Sequence, residues 1–592
     1  MTLTRQETFA RLAKAEKAGD TAEYKAILEA AVVEFQDDPV IVAQHARLLY
    51  MSGEKDRAAK QFVRAVNLTR GQYHVRMAIC DTIYEVGLQK LASQCLPKLA
   101  DVETVNESFA RIKILRSQKD KVSVGKCCDH LVRTATMTSD QWKQISGLAG
   151  VAGRAPAAIK AFVNSLEGRA PDSKEILNLV FLCIKNDDLD SAENWLAQAP
   201  AETKDDPNIL TARAICLRKR GKTDEAVQAY RALIAVNPLA NSAWQGLSEL
   251  VTKEELPPLA EQIEDILAKE ELSEIQQRSF QYDLGRMYER IKETDKAFAA
   301  YREANNLYKG LIAASGREYR PEKMELVRQK QLGMFADFSP EELARGSGFS
   351  AQTPIFIVGM PRSGTTLLER MLGAIPSVAM GGEDPALVNV VNEYAYEIVR
   401  RRAKPPAKMT EAVWQGLAES YWTRALVHGR HVINKLPQNF RWAGWIMKMF
   451  PDAPIIYLER DPMDIGWSIY KRPMLPDFNF AVDQEFLAHA IKECREYIAG
   501  WSSQAPDRIL RVRFEDLVSD PEANSRRIVD FCGLEWTPAC LEPEKLDTPT
   551  FTISEQQVRA PINQKGIGRW QAYSEHLKPM AAKLKEYGVT EG

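Results

Sequence analysis

The apolar positions of this chain change their period about half-way along it. Before roughly residue 310 they recur at helical spacing, in paired segments broken by turns. The breaks keep a fixed step: Gly19, Gly53 and Gly87 are 34 residues apart, and Gly153, Asp187 and Gly221 repeat that step. A second column holds Ala58 and Ala92, then Ala158, Ala192, Ala226 and Ala260. Four residues beyond an alanine of that column stand Phe62, Phe162 and Tyr230. The phase slips between Gly87 and Gly153, and again before Ala297, which has Tyr301 four residues on. Glycine or aspartate suits a turn between helices, where a positive φ or a side-chain cap is needed. The alanine lets the second helix approach its neighbour, and the aromatic residue fills the hole one turn later. One such pair cannot bury its own face, so the pattern predicts an all-α solenoid of stacked helix pairs.

From Pro354 onward, short apolar runs alternate with helical stretches. Strands are predicted at 355–358, 378–380, 431–434, 454–458 and 508–512, and helices around 365–372, 385–402, 411–427, 440–449, 464–471, 483–502 and 520–532. Such alternation predicts a mainly parallel sheet covered by helices on both faces. The expected domains are a helical repeat array over 1–310, a linking helix and loop over 311–350, and an α/β domain over 351–592.

Composition narrows the picture only a little. A chain of 592 residues is too long for one core. The net charge of -2 gives no global field for nucleic acid or an anionic membrane, and leaves a local basic pocket open. Nine scattered cysteines without a C-x-x-C pair suit a reduced, intracellular protein. The N-terminus lacks the apolar core of a signal peptide, and no apolar run nears the ~20 residues that span a bilayer. A cytoplasmic protein is expected, with no membrane span and no nucleic-acid partner. The closest histidines, His428 and His431, have no flanking ligands at metal-binding spacing, so no metal is expected.

The candidate chemistry comes from topology. In parallel α/β sheets ligands bind beyond the carboxyl ends of the strands. That rule selects the segment Arg362 to Thr366, then Glu383, Lys435, Arg460, and Phe514 to Asp516. The first segment is the sharpest. Ile355 to Val358 predicts a buried strand, Gly359-Met-Pro-Arg-Ser-Gly364 a turn, and Thr365 the start of a helix. Backbone N–H groups and the positive end of the helix dipole would together make an anion cradle. The glycine spacing is that of a Walker A loop, but Thr365 stands where that motif needs lysine. The loop is therefore expected to hold a shorter anion than a nucleoside triphosphate.

These residues also carry a resemblance. Pro361-Arg-Ser-Gly-Thr-Thr366 after a strand resembles the 5′-phosphosulfate loop of the sulfotransferases, whose donor is 3′-phosphoadenosine 5′-phosphosulfate (PAPS). Leu458 to Ser468 is similar to their 3′-phosphate motif, an arginine at a strand end and a serine eight residues later. Gln564-Lys-Gly-Ile-Gly-Arg-Trp570 resembles, with a shorter run, the Lys-Gly stretch that closes over the nucleotide, and Val512 to Val518 resembles a recurrent segment. The likeness covers about residues 350–580. The 21 residues from Arg362 to Glu383 fit the protein-tyrosine sulfotransferases, and Gly382-Glu383 resembles the segment carrying their base. The N-terminal columns, clearest from Gly221 to Pro238, resemble the tetratricopeptide repeat, and the combination looks like a bacterial branch of the family.

The resemblance implies roles. Glu383 would be the general base, with Arg362 and Lys435 against the transferring sulfuryl group. Ser363, Gly364, Thr365 and Thr366 would hold the 5′-phosphate, Arg460 and Ser468 the 3′-phosphate, and Lys565 and Gly566 would close over it. The acceptor would be a hydroxyl of a protein, glycan or lipid, and the array would offer a groove to a peptide or protein partner. Blander roles stay open: a surface salt bridge for Arg362, a surface lysine at Lys435, and a helix N-cap at Glu383. Arg400-Arg-Arg402 reads as an acceptor patch or a solvated helix end. Two other readings of the whole chain are a P-loop nucleotide kinase, and a non-enzymatic adaptor with a vestigial nucleotide-binding domain.

Overall fold

The computed structural model describes residues 4–118, 120–152, 154–185, 188–344, 352–399, 404–425, 427–474, 476–546 and 560–589. It divides into two compact units, residues 1–183 and 184–592.

The first unit is built of short helices packed in consecutive pairs, from Arg5–Ala18 onward. Gly19, Gly53 and Gly87 hold the turns at φ of 70°, 87° and 91°, which is why glycine recurs there. Ala58, Ala92, Ala158 and Phe62 are buried as the columns require, while Phe162 is half-buried. Gly153 and Asp187 lie outside the described residues.

The second unit begins with helices of the same kind and carries the sheet. Its last two repeat helices are α1 (Glu274–Arg290) and α2 (Thr294–Ala314). Between them Lys292 takes the left-handed backbone, at φ 65°, five residues before Ala297, just as Gly221 lies five before Ala226. The turn is conserved in shape and altered in residue, so the glycine column misses it. The aromatic column has a partner that periodicity did not reveal. A Cβ on Gly246 would stand 2.3 Å from the Tyr230 ring, and one on Gly285 would stand 2.5 Å from the Tyr301 ring. Each aromatic ring packs against the bare glycine of a neighbouring helix.

Five strands follow: β1 (Thr353–Gly359), β2 (Val378–Met380), β3 (His431–Asn434), β4 (Ile455–Glu459) and β5 (Ile509–Arg513). Their order is β2-β3-β1-β4-β5 and every pair is parallel. All five overlap the predicted runs. β1 is central, with Ile355 opposite Ile433 and Ile357 opposite Ile456. Its alternate side chains feed two cores. Ile355 and Ile357 pack with Leu368, Met371 and Leu372 of α3 (Thr365–Gly373). Phe356 and Val358 join a larger core that runs on without a break to Phe280, Phe298 and Tyr301 of the repeat helices.

Two further helices frame the site: α4 (Pro462–Tyr470) and α5 (Gln484–Gln504). The predicted helix at 520–532 starts at Pro521, because Asp520 caps it and proline fits its first position. The predicted helix at 440–449 is a 3-10 turn, Pro437–Trp442, followed by a helix Ala443–Met449. Of the helix at 385–402, Ala386–Val399 is helical, and Arg400-Arg-Arg402 lies outside the described residues. The linking segment supplies the helix Pro321–Gly333, which packs on α5 with Arg328 3.1 Å from Glu493. Among the described residues no helix is long and apolar enough to cross a membrane.

Candidate active site

The cradle at the end of β1 is shaped by three backbone positions with positive φ: Gly359 at 155°, Arg362 at 69° and Gly364 at 102°. Gly364 is obligatory twice over, since a Cβ there would also stand 2.4 Å from the Phe514 ring. Gly359 leaves room for the Leu458 carbonyl of β4, which a Cβ would meet at 2.6 Å. Arg362 is not glycine, so its left-handed backbone costs ~1–2 kcal/mol, which the surrounding packing must hold in place. Behind it, α3 starts at Thr365, so the N–H groups of Thr365 and Thr366 precede its first bonds, which run from Leu367 and Leu368 to the Gly364 carbonyl.

Around the cradle, on the β4–β5 side of β1, lies a cavity of about 310 Å³. Arg362, Gly364, Thr366, Arg460, Ser468, Lys565 and Gly566, all predicted from sequence, line it. Ser363 and Thr365 are buried in the cradle itself. Arg362 donates from Nε to Ser468 Oγ at 3.1 Å. Arg460 ties the site together, donating to the Arg362 carbonyl at 2.9 Å and to the Gly566 carbonyl at 2.5 Å. Its guanidinium also lies over the Phe514 ring, 4.6 Å from the centroid. Asp464 accepts from the Gly568 N–H at 2.7 Å and so anchors the Lys565–Gly566 turn to α4.

The electrostatics of this cavity are one-sided. Among the described residues its walls set Arg362, Arg460, Lys471, Arg472, Lys565 and Arg569 against one carboxylate, Asp464. Burial, and then the neighbouring Arg472, Arg460 and Arg569, pull Arg362 down to about 9. Burial likewise lowers Arg460 and Arg472. Several buried polar atoms here have no hydrogen-bond partner: Ser363 Oγ, Arg460 Nε, Trp467 Nε1 and Arg472 Nε. Crowded, desolvated cations and unmet donors are what a bound polyanion would satisfy.

Lys435 and Glu383 do not line this cavity. They stand on the other side of β1, past the ends of β3 and β2. Lys435 is 0% exposed and donates to Glu383 at 2.7 Å, with Glu369 of α3 at 3.9 Å. Glu369, raised by burial, accepts from the Gly382 N–H at 2.9 Å and so fixes the turn that presents Glu383. Glu383 itself is 46% exposed. The helix after it is capped by Asp384, whose carboxylate accepts from Ala386 N–H at 2.9 Å, so Glu383 is free of that duty. Burial also removes the surface roles open to Arg362 and Lys435.

Residues 354–538 match the model of the sulfotransferase family, and residues 152–216 match a tetratricopeptide repeat. The C-terminal domain is a sulfotransferase-family domain.

The chain is 30% identical over 426 residues to an uncharacterized protein of Aquifex aeolicus, covering 69% of this chain and 54% of the relative, so it spans about half of that relative's length. It is 27% identical over 265 residues to protein-tyrosine sulfotransferase A of Caenorhabditis elegans, covering 41% of this chain and 70% of the relative. Among solved structures, the sulfotransferase domain of the Synechococcus PCC 7002 olefin synthase is similar at 22% identity and a TM-score of 0.27, over 40% of this chain and 96% of that one.

Some residues of the sulfotransferase domain were invisible to sequence reasoning. Lys471 and Arg472 line the cavity, yet they follow a helix end rather than a strand, and Arg569 lines it from within the Gln564–Trp570 stretch without having been singled out there. Glu369 looks like any polar residue of α3. Their signal is tertiary, apart from the Lys471-Arg472 pair closing the helix that bears Ser468. Among the described residues, His428 and His431 belong to no metal-ligand grouping. The grouping that brings histidine and carboxylates together is Glu325, His489 and Glu493, where Lys492 and Arg328 already serve the carboxylates.

Proposed function

We propose that this protein transfers a sulfuryl group from PAPS to an acceptor hydroxyl, on a protein or peptide tyrosine first and a glycan second. One observation carries the reading: a cavity crowded with buried cations meets the cradle of β1 on one side, and a carboxylate–lysine pair stands on the other. An in-line displacement needs this division, with the leaving group and the attacking group on opposite faces of the transferred atom.

The cavity fits the donor. Ser363 Oγ and the N–H groups of the cradle suit the 5′-phosphate, and Arg460, Ser468 and Lys565 the 3′-phosphate. When bound, the donor supplies an activated sulfuryl group on a phosphate leaving group. Glu383, exposed and paired with Lys435, accepts the proton of the incoming hydroxyl. Lys435, held between Glu383 and Glu369, and Arg362 steady the charge that develops around the transferred group. In this reading residues 1–310 form the array, with a groove for a peptide or protein partner, 311–350 the link and 351–592 the catalytic domain, working in the cytoplasm without a metal.

Two measurements test the proposal. Calorimetry should find tight binding of adenosine 3′,5′-bisphosphate and weak binding of ATP; tight ATP binding with no bisphosphate binding favours the kinase reading and ends this one. Glu383→Gln should lower kcat by at least about a hundredfold while leaving bisphosphate affinity unchanged. Unaltered transfer by that variant would remove Glu383 from its role.

A further inference from the structure

Two cations of the donor cavity are held from the repeat side. Lys471, at the end of α4, donates to Glu289 of α1, and the guanidinium of Arg569 lies 3.7 Å from the same carboxylate oxygen. The second oxygen of Glu289 accepts from the Tyr301 hydroxyl of α2 at 3.0 Å. Aromatic packing fixes this arrangement. Tyr301 meets Trp467 edge-on at 5.7 Å, Phe298 stacks on Tyr470 at 5.8 Å and on His576 at 4.5 Å, and Trp467 packs against Tyr573 at 3.9 Å. Trp467 is 1% exposed and lines the cavity beside Ser468. Asn305 of α2 also donates to the Tyr470 carbonyl at 2.8 Å. The last repeat pair thus grips the helix that carries Ser468.

We infer that Glu289, on the last repeat pair, is a positioning residue for two cations of the donor site, Lys471 and Arg569. The inference rests on the donor reading above. Glu289 is the carboxylate in contact with both cations, and its own environment shows the same knot. Burial works against its charge, yet Lys471, Arg569 and the Tyr301 hydroxyl together hold it below the usual carboxylate range. Lys471 is less secure. Burial lowers it to about 8 despite Glu289, and Arg569 and Arg472 push the same way. Tyr573, Arg362 and Arg460 also face the pair, and Arg286, Tyr301 and Glu249 face its neighbour Arg472 from the repeat side.

The sign follows from these groups. A lysine with a depressed pKa is charged below that value and neutral above it. Without Glu289 the value falls further, and Lys471 loses its charge within the working range of pH. A fall of about one unit is a factor of ten in the proton equilibrium. The affinity of Glu289→Gln for adenosine 3′,5′-bisphosphate, relative to wild type, should then drop about fivefold between pH 6 and pH 8.

Calorimetric titration of the full-length chain with the bisphosphate from pH 6 to pH 8 tests this. Glu289→Asp, which keeps the charge, should keep the wild-type profile. With Lys471→Arg the wild-type and Glu289→Gln backgrounds should give parallel profiles, because arginine stays charged throughout and only the ligand's own phosphates still titrate. Parallel profiles for wild type and Glu289→Gln overturn the inference alone, as does an Asp variant as sensitive as the Gln variant. If the wild type binds no bisphosphate at any pH, the donor reading falls and this inference falls with it.

Discussion

At the scale of single residues, the cradle concentrates constraint. Gly364 combines a φ of 102° with a face pressed against Phe514, so Gly364→Ala must strain the backbone and displace the ring together. The expected loss is at least about 2 kcal/mol of stability in urea unfolding, with bisphosphate binding lost in the same variant. These residues are legible in the sequence because strand, turn and helix N-terminus form one contiguous run, and local rules suffice to place them. Glu383, Lys435 and Arg460 needed one more rule, that strand ends converge, while Ser468 came from the resemblance of its motif. Glu289, Glu369, Lys471 and Arg569 are illegible from either rule. They reach the site from helix faces and a late turn, and only the packing of distant segments decides where they point.

Among elements, the repeats show how a periodic pattern persists after its letters change. Lys292 holds a left-handed turn that glycine holds elsewhere, so Lys292→Gly should stabilise the chain by about 0.5–1 kcal/mol, measured by urea unfolding. Gly285 reverses the usual helix rule. Alanine outranks glycine in a helix interior by ~1 kcal/mol, yet here a Cβ would collide with Tyr301. Gly285→Ala should therefore destabilise by about 1–3 kcal/mol, and combining it with Tyr301→Ala should cost less than the two changes summed. The strands were readable because each is a short apolar run between turn residues. The helix pairs were readable only where glycine and alanine keep their places, which is why the columns lapse near Ala297 while the fold does not.

At the scale of the molecule, the compact unit holding the sheet begins at residue 184, and its core runs unbroken from the strands into the repeat helices. A chain starting at residue 351 would expose the faces of Trp467, Tyr470 and Trp501 that Phe298, Tyr301 and Phe335 cover. It should aggregate or bind no bisphosphate, whereas a chain starting at 184 should melt cooperatively and bind it; gel filtration and calorimetry distinguish the two. The unbroken core also bears on how such chains diverge. Residues 1–183 form a compact unit of their own, so substitutions there are free to drift with whatever that unit meets. Phe298, Tyr301 and Glu289 have no such freedom. In related chains they should be inherited as a set with Trp467, Lys471 and Arg569, and a hybrid joined between residues 314 and 353 should inherit a mismatched pair of halves.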